Sequence, residues 1–257
     1  MLPSDMKNMK EDFLMQTSLT NQDSIFSGSY WQKAASNLKN NRMLAFAGLI
    51  IALRVVVKAF KIPLAPGLTL TLDCYVNALG SVVYGPVIAL LAGAVSDTLG
   101  CILFPSPTSP YFFPFILVEM SSGFIFALFL WERTIDIKKT LLSKFTVNMI
   151  CNIILTSLLI KWSNYLEGKT YNLITLVRLC KNLVLFPLES MLIVIVLKAA
   201  IPPLSAIGFK GIRFTVDKLE KKHYLYIALL ALVSVGLVLF YVFWLKDFAA
   251  ANNFKWL

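Results

Sequence analysis

The chain has 257 residues, of which 58% are hydrophobic and only 15% are charged. A soluble domain of this size is nearer to half apolar and a quarter charged, so the composition excludes an ordinary soluble enzyme. The net charge of +10 could suggest a nucleic-acid partner. We expect none, because lysine and arginine in an apolar chain serve mainly to hold cytoplasmic loops in place.

Seven apolar blocks follow a polar N-terminal tail (1–41), and each is about long enough to cross a bilayer as a helix. The predicted segments are 43–60, 68–84, 86–104, 114–131, 142–160, 174–201 and 224–245. Gly85 and Pro86 predict a tight turn between the second and third segments, and the proline-rich stretch 105–114 predicts a loop. Tyr30 and Trp31 indicate an amphipathic helix within the tail.

These segments predict an all-α integral membrane protein with four regions. A cytoplasmic tail (1–41) precedes a six-helix domain (42–201), which is followed by a basic cytoplasmic linker (202–222) and an extra transmembrane helix with a short tail (223–257). Most of the 24 lysines and arginines lie in regions that are inside when the N-terminus is inside. The sequence therefore predicts a multi-pass protein of the cell membrane with a cytoplasmic N-terminus.

No motif for hydrolysis, phosphate binding or metal binding is found in the sequence. The four cysteines stand singly, and His223 is the one histidine. We therefore predict that the chain is not an enzyme and holds no metal or cofactor, and that active transport would need an ion gradient or a separate ATPase.

Ionisable residues inside the apolar segments are the candidate functional groups, because each is costly at membrane depth. With the N-terminus inside, they converge on the outer half of the bundle beneath the loop 105–114. They are Arg54, Asp97, Glu119, Arg178 and Lys181, and the neutral amide of Asn182 joins them as a further candidate.

Arg178 and Lys181 are three positions apart, on one helical face suited to a ligand carboxylate or phosphate. Asp97 or Glu119 could accept two hydrogen bonds from an amidine-like edge such as that of a pterin, and Tyr111, Phe112 and Phe113 could stack on a flat ring. The alternatives are that Arg178 only extends to the interface and that Asp97 pairs with Arg54. Glu189 with Asn148 or Asn152 suggests a polar link between helices.

Two pairs of small residues, Gly48 with Ala52 and Ala89 with Gly93, allow close approach of helices. They could pack inside the bundle or dock a second membrane protein. The residues of both pairs are candidates for docking a partner protein.

Residues 85–104 (GPVIALLAGAVSDTLGCILF), with Pro105 and Tyr111-Phe112, resemble the substrate-binding S component of energy-coupling factor (ECF) vitamin transporters. The run Arg178-x-x-Lys181-Asn182, leading to Phe186-Pro187-x-Glu189, is similar to the folate branch of that family. The resemblance extends over residues 43–201.

This resemblance implies a six-helix bundle with an outward ligand site that captures folate or a related pterin, here with an extra C-terminal helix. It also implies a partner module of one transmembrane coupling protein and two ATPases. Gly48 and Ala52 stand where the family contacts the coupling protein. An S component for a different vitamin or precursor, and a non-transporting membrane interaction protein, remain the alternatives.

Overall fold

The computed structural model describes residues 25–65, 68–104, 112–166, 168, 176–206, 215–216 and scattered positions between 225 and 239. The helices are α1 Gly28–Ser36, α2 Asn41–Lys58, α3 Asp73–Leu103, α4 Ile116–Leu130, α5 Ile137–Leu166 and α6 Leu176–Ala206. A 3₁₀ turn, Asn37–Lys39, joins α1 to α2, and another, Phe113–Phe115, precedes α4. Helix α5 contains a π-helical stretch, Asn148–Leu155.

Within the described residues, four short strands accompany the helices. Strands β1 Lys61–Ala65 and β2 Leu68–Thr71 form an antiparallel hairpin, and β3 Thr134–Ile135 pairs in parallel with β4 Thr215–Val216. The hairpin occupies the start of the predicted second segment, so that helix begins at Asp73 rather than at residue 68. Pro63 lies in β1 and cannot donate a backbone hydrogen bond to a neighbouring strand. It is tolerated because both strands of a two-stranded hairpin are edge strands.

Helix α3 reverses direction at Gly85. Its backbone there has φ 82° and ψ 178°, a conformation that is open essentially to glycine alone. A straight helix would separate Asp73 from Asp97 by about 36 Å. Both aspartates nevertheless bind cations one turn apart on α2, so α3 consists of two antiparallel arms. The turn predicted at Gly85 and Pro86 is confirmed.

Four helices of the described chain are long and apolar enough to cross a membrane: Asp73–Leu103, Phe113–Leu130, Ile137–Leu166 and Lys181–Leu204. A fifth span is obtained if Gly28–Lys39 and Asn41–Lys58, which are bent by 80°, count as one. These spans confirm the predicted all-α membrane bundle. The short strands are small additions that the structure shows. The predicted seventh segment lies largely outside the described residues; Leu225, Leu229 and Leu232 within it are helical and exposed.

The core consists of two hydrophobic clusters on either side of α3 and α4. One includes Tyr30 and Ala34 of α1 with Tyr84 and Trp131, and the other joins α3 and α4 to α5 and α6. Because α1 contributes to the first cluster, the packed bundle extends N-terminal to residue 42, the boundary that the sequence predicted. Tyr30 faces this core and is only 2% exposed.

Candidate functional site

Arg54, in the last turns of α2, is the centre of a buried ion network. Its side chain is 0% exposed. Its Nε and Nη2 donate to the two carboxylate oxygens of Asp73, at 2.9 and 3.2 Å, and Nη2 also donates to Oε2 of Glu119 at 2.5 Å. Asp73 is the first residue of α3 and Glu119 lies in the first turn of α4, so one arginine joins the ends of three helices.

Lys58 extends this network by one helical turn. Its Nζ donates to Oδ1 of Asp97 at 2.9 Å and lies 3.8 Å from Oε1 of Glu119. Two cations therefore face three carboxylates, which leaves one negative charge in excess when all five groups are ionised. The second oxygen of Asp97 is buried and has no hydrogen-bond partner among the described residues.

The geometry corrects one expected ion pair among these residues. Asp97 pairs with Lys58 rather than with Arg54. Arg54, one of the candidate functional groups, is fully buried, and two of its three nitrogens bind carboxylates of the bundle. Arg54 therefore serves to hold the three helix ends together, and Glu119, whose side chain is 25% exposed, is the accessible part of the network.

A chain of amides joins α5 to α6. The amide nitrogen of Asn152 donates to Oδ1 of Asn148 at 3.1 Å and to Oδ1 of Asn182 at 3.2 Å. Both α5 residues lie in the π-helical stretch, a distortion that is frequent at functional sites. The side-chain oxygen of Asn182 therefore already accepts a hydrogen bond from a neighbouring helix.

The predicted link from Glu189 to Asn148 or Asn152 is not formed. Glu189 instead accepts a hydrogen bond from Lys144 at 2.8 Å, and both side chains are nearly buried. Helix α5 begins at Ile137, five residues before the predicted segment, and carries Lys144 into the bundle. The pair satisfies two charges that would otherwise be costly to bury.

Arg178 and Lys181 lie in the first turns of α6, at the same end of the bundle as the ion network. Contacts of Lys144 with Glu189 and of Asn152 with Asn182 make α5 and α6 antiparallel. The start of α6 therefore lies beside the end of α5. Trp162, near that end, contacts Phe112 just before α4.

Aromatic side chains border this polar end. The ring of Phe112 meets that of Trp162 edge to face, with centroids 5.5 Å apart, and that of Phe115 at 5.8 Å. Phe113 is 70% exposed. Tyr111 lies outside the described residues.

The two pairs of small residues have different surroundings. Gly48 and Ala52 are exposed on α2, and a Cβ added to Gly48 would meet no atom within 4 Å. Ala89 and Gly93 are buried, and a Cβ on Gly93 would lie 2.8 Å from the backbone oxygen of Glu119. Ala89 and Gly93 therefore form a close contact between α3 and α4, which corresponds to the alternative of packing inside the bundle.

Valine at position 93 is expected to destabilise the bundle, whereas valine at position 48 is not. The added side chain of Gly93→Val would meet the backbone of α4, and overpacking of this kind costs about 1–3 kcal/mol. Gly48→Val makes the same change in helix propensity as Gly93→Val, but its side chain extends into open space. Thermal unfolding of both variants in detergent tests this, and equal stability of the two would contradict the assigned contact.

Two members of the network, Lys58 and Asp73, were not identified from the sequence. Lys58 is at the end of α2, where a basic residue resembles an ordinary interfacial anchor, and Asp73 stands near a loop. The reversal at Gly85 places both arms of α3 beside α2. Only this arrangement brings Asp73 to Arg54 and Lys58 to Asp97.

Comparison with known proteins gives matches to a protein family, to a relative and to solved structures. Residues 39–201 match the family described as "ECF-type riboflavin transporter, S component". The Folate transporter FolT of Clostridium novyi (strain NT) is 24% identical over 156 residues, which span 61% of this chain and 88% of that protein. A crystal structure of FolT bound with folic acid is 28% identical, covers 58% of this chain and 86% of that one, and has a TM-score of 0.49. Because the family match spans more than half of the sequence, the chain belongs to the family of ECF-type riboflavin transporter S components.

Proposed function

We propose that the chain captures folate outside a bacterial cell and delivers it to an ECF module for uptake. In this role it is the substrate-binding subunit and performs no catalysis. The ATP would be hydrolysed by two partner ATPases, and a transmembrane coupling protein would connect them to this chain. The N-terminus is cytoplasmic in this arrangement, which places the polar end of the bundle outside.

The observation that carries the proposal is the opposite charge of two groups at one end of the bundle. The network of Arg54, Lys58 and three carboxylates has one negative charge in excess, while Arg178 and Lys181 supply two positive charges. Folate has the matching polarity, because its pterin ring presents hydrogen-bond donors at one end and its glutamate carries two carboxylates at the other. Charged groups arranged in this way fix the orientation of a ligand.

Each group then has a distinct role. Glu119, the accessible carboxylate of the network, accepts hydrogen bonds from the pterin edge, and Asp97 acts beside it through Lys58. Arg178, Lys181 and Asn182 hold the glutamate end. Phe112 stacks on the ring or closes the entrance, together with Tyr111.

Riboflavin is the second candidate, since the matching family is named for it. Riboflavin has no carboxylate, so it would make no charge-assisted contact with Arg178 or Lys181. The name of the curated relative, Folate transporter FolT, agrees with the charge argument and supports folate over riboflavin.

Parallel calorimetric titration of the purified chain with folate, folinate, riboflavin, thiamin and cobalamin tests the assignment. We expect tight binding of folate and no heat with riboflavin. Tight binding of riboflavin alone would keep the transport role and reject folate. No binding of any of the five by a folded sample would favour a membrane interaction protein without a small ligand.

The face of α2 around Gly48 and Ala52 is the proposed docking site for the coupling protein. Both small residues are exposed and are flanked by the exposed side chains of Leu49 and Leu53. Without a side chain at position 48 a partner helix can approach the backbone closely, which compensates for the weak hydrophobic drive within lipid.

Gly48→Trp is expected to reduce co-purification with the ECF module by roughly tenfold or more, while folate affinity stays unchanged. The indole would keep the partner helix from the backbone and forfeit its close contacts. Leu142→Trp places the same ring on another exposed position, on α5, and is the matched control. Equal recovery of the module with both variants would reject this docking face.

A further inference from the structure

Helix α1 precedes the family-matched region, which begins at residue 39, and covers the end of the bundle opposite the ion network. Tyr30 packs edge to face on Trp131, with ring centroids 4.9 Å apart, and the amide of Asn37 donates to the backbone oxygen of Tyr84 at 3.2 Å. Trp131 in turn lies against the Gly85 turn. Lys33 forms an ion pair with Glu132 at 2.5 Å. The helix is thus fixed to the bundle by apolar, polar and ionic contacts.

The direction of α1 places it along a membrane surface. It is bent by 80° from α2, so if α2 crosses the bilayer, α1 lies nearly parallel to the bilayer plane. Its two faces differ: Tyr30 and Ala34 are buried, whereas Trp31 is 36% exposed and stacks on Phe124. A partly exposed tryptophan at this level is typical of a membrane interface.

Basic side chains surround α1 at this end of the bundle. Lys39 and Arg42 follow α1 directly, and the chain after α4 adds three more cations within one short stretch. Lys39, Arg42 and Lys138 are exposed, and Arg133 and Lys139 are half-buried. We call these five residues the basic surface: Lys39, Arg42, Arg133, Lys138 and Lys139. Among the described residues, the acids near this surface are Glu132, which pairs with Lys33, and Asp136.

We propose that the basic surface binds the headgroups of anionic phospholipids, with α1 lying in the plane of that leaflet. Charge complementarity selects the occupant, because clustered cations beside an interfacial helix attract anionic lipid and have no such attraction for a zwitterionic one. The lipid chains continue along the apolar sides of the bundle while the headgroup phosphates meet Lys39, Arg42 and Lys138. This binding is independent of the ligand site at the opposite end.

The test uses the full chain in neutral detergent and measures its thermal unfolding midpoint with added lipid. A molecule that binds the folded state alone raises the midpoint. We expect phosphatidylglycerol to raise it, and phosphatidylcholine and inorganic phosphate to leave it nearly unchanged. High salt is expected to reduce the shift, because exposed charges are screened.

Variants locate the effect. Lys39→Gln/Lys138→Gln is expected to lose most of the shift given by phosphatidylglycerol, while Lys39→Arg/Lys138→Arg keeps it because the charge remains. Lys161→Gln removes an exposed lysine from the opposite end of the bundle and should leave the shift intact. A full shift in Lys39→Gln/Lys138→Gln, or an equal shift with phosphatidylcholine or with inorganic phosphate, would overturn the proposal.

Discussion

Arg54→Met is expected to lower the free energy of unfolding by about 3–5 kcal/mol, the cost of leaving one side of a buried ion pair without its partner. Arg54 is 0% exposed and holds Asp73 and Glu119 together. Methionine has nearly the same length but no charge, so both carboxylates would remain in a poorly solvated site. Reversible unfolding in mixed detergent measures the loss.

Two further variants show whether the loss of stability comes from the buried ion pairs or from replacing any arginine by methionine. Arg42→Met, at the exposed start of the same helix, is expected to change stability little. Adding Asp73→Asn and Glu119→Gln to Arg54→Met should recover part of the loss, because it removes the uncompensated charges. Similar stability of Arg54→Met and Arg42→Met would contradict the network.

Arg178→Ala and Lys181→Ala are each expected to weaken folate binding by roughly tenfold or more. Removing one partner of a close charge pair costs about 2–5 kcal/mol, which is more than tenfold in affinity. Both residues lie in the first turns of α6, and the change should therefore affect affinity without unfolding the helix. Calorimetric titration of each variant with folate gives the measurement.

Lys161→Ala is the matched control for this pair. Lys161 is an exposed lysine near the end of α5, at the same end of the bundle, and carries the same charge without a proposed contact to the ligand. Its affinity for folate should equal that of the unchanged chain. Unchanged affinity in both Arg178→Ala and Lys181→Ala would reject the assignment of these residues to the ligand.

Hydropathy and turn chemistry were enough to predict the membrane helices of the described bundle and the reversal of the chain. The Gly85-Pro86 turn is local, because only glycine adopts its backbone conformation readily and proline suits the start of the next helix. The strands β1 and β2 were missed, since a loop rich in proline and glycine gives little sign of a short hairpin.

The partners of the buried charges could not be predicted from the sequence. Which aspartate meets which cation depends on the register between α2 and the two arms of α3, and one helical turn decides between Arg54 and Lys58. The burial of Lys144 was missed for a related reason. Helix α5 starts five residues before the apolar block at 142–160, and the sequence does not show that Lys144, near the start of that block, faces Glu189 inside the bundle.

Small residues illustrate the same limit. Gly48 with Ala52 and Ala89 with Gly93 have the same spacing and composition, yet the first pair is exposed and the second is buried. Spacing identifies a helix face that another helix can approach closely. It does not identify the helix that packs there, or whether that helix belongs to the same chain.

The most direct test of the account compares folate with pteroate, which lacks the glutamate, in the unchanged chain and in Arg178→Ala/Lys181→Ala. If these cations bind the glutamate, removing the glutamate from the ligand and removing the cations from the protein abolish the same interaction. The effects of the two changes on affinity are then not additive. We predict that the unchanged chain binds folate roughly tenfold or more tightly than pteroate. In the double variant the two affinities should be nearly equal. The same preference for folate in both proteins would contradict the account, because it would place the glutamate elsewhere.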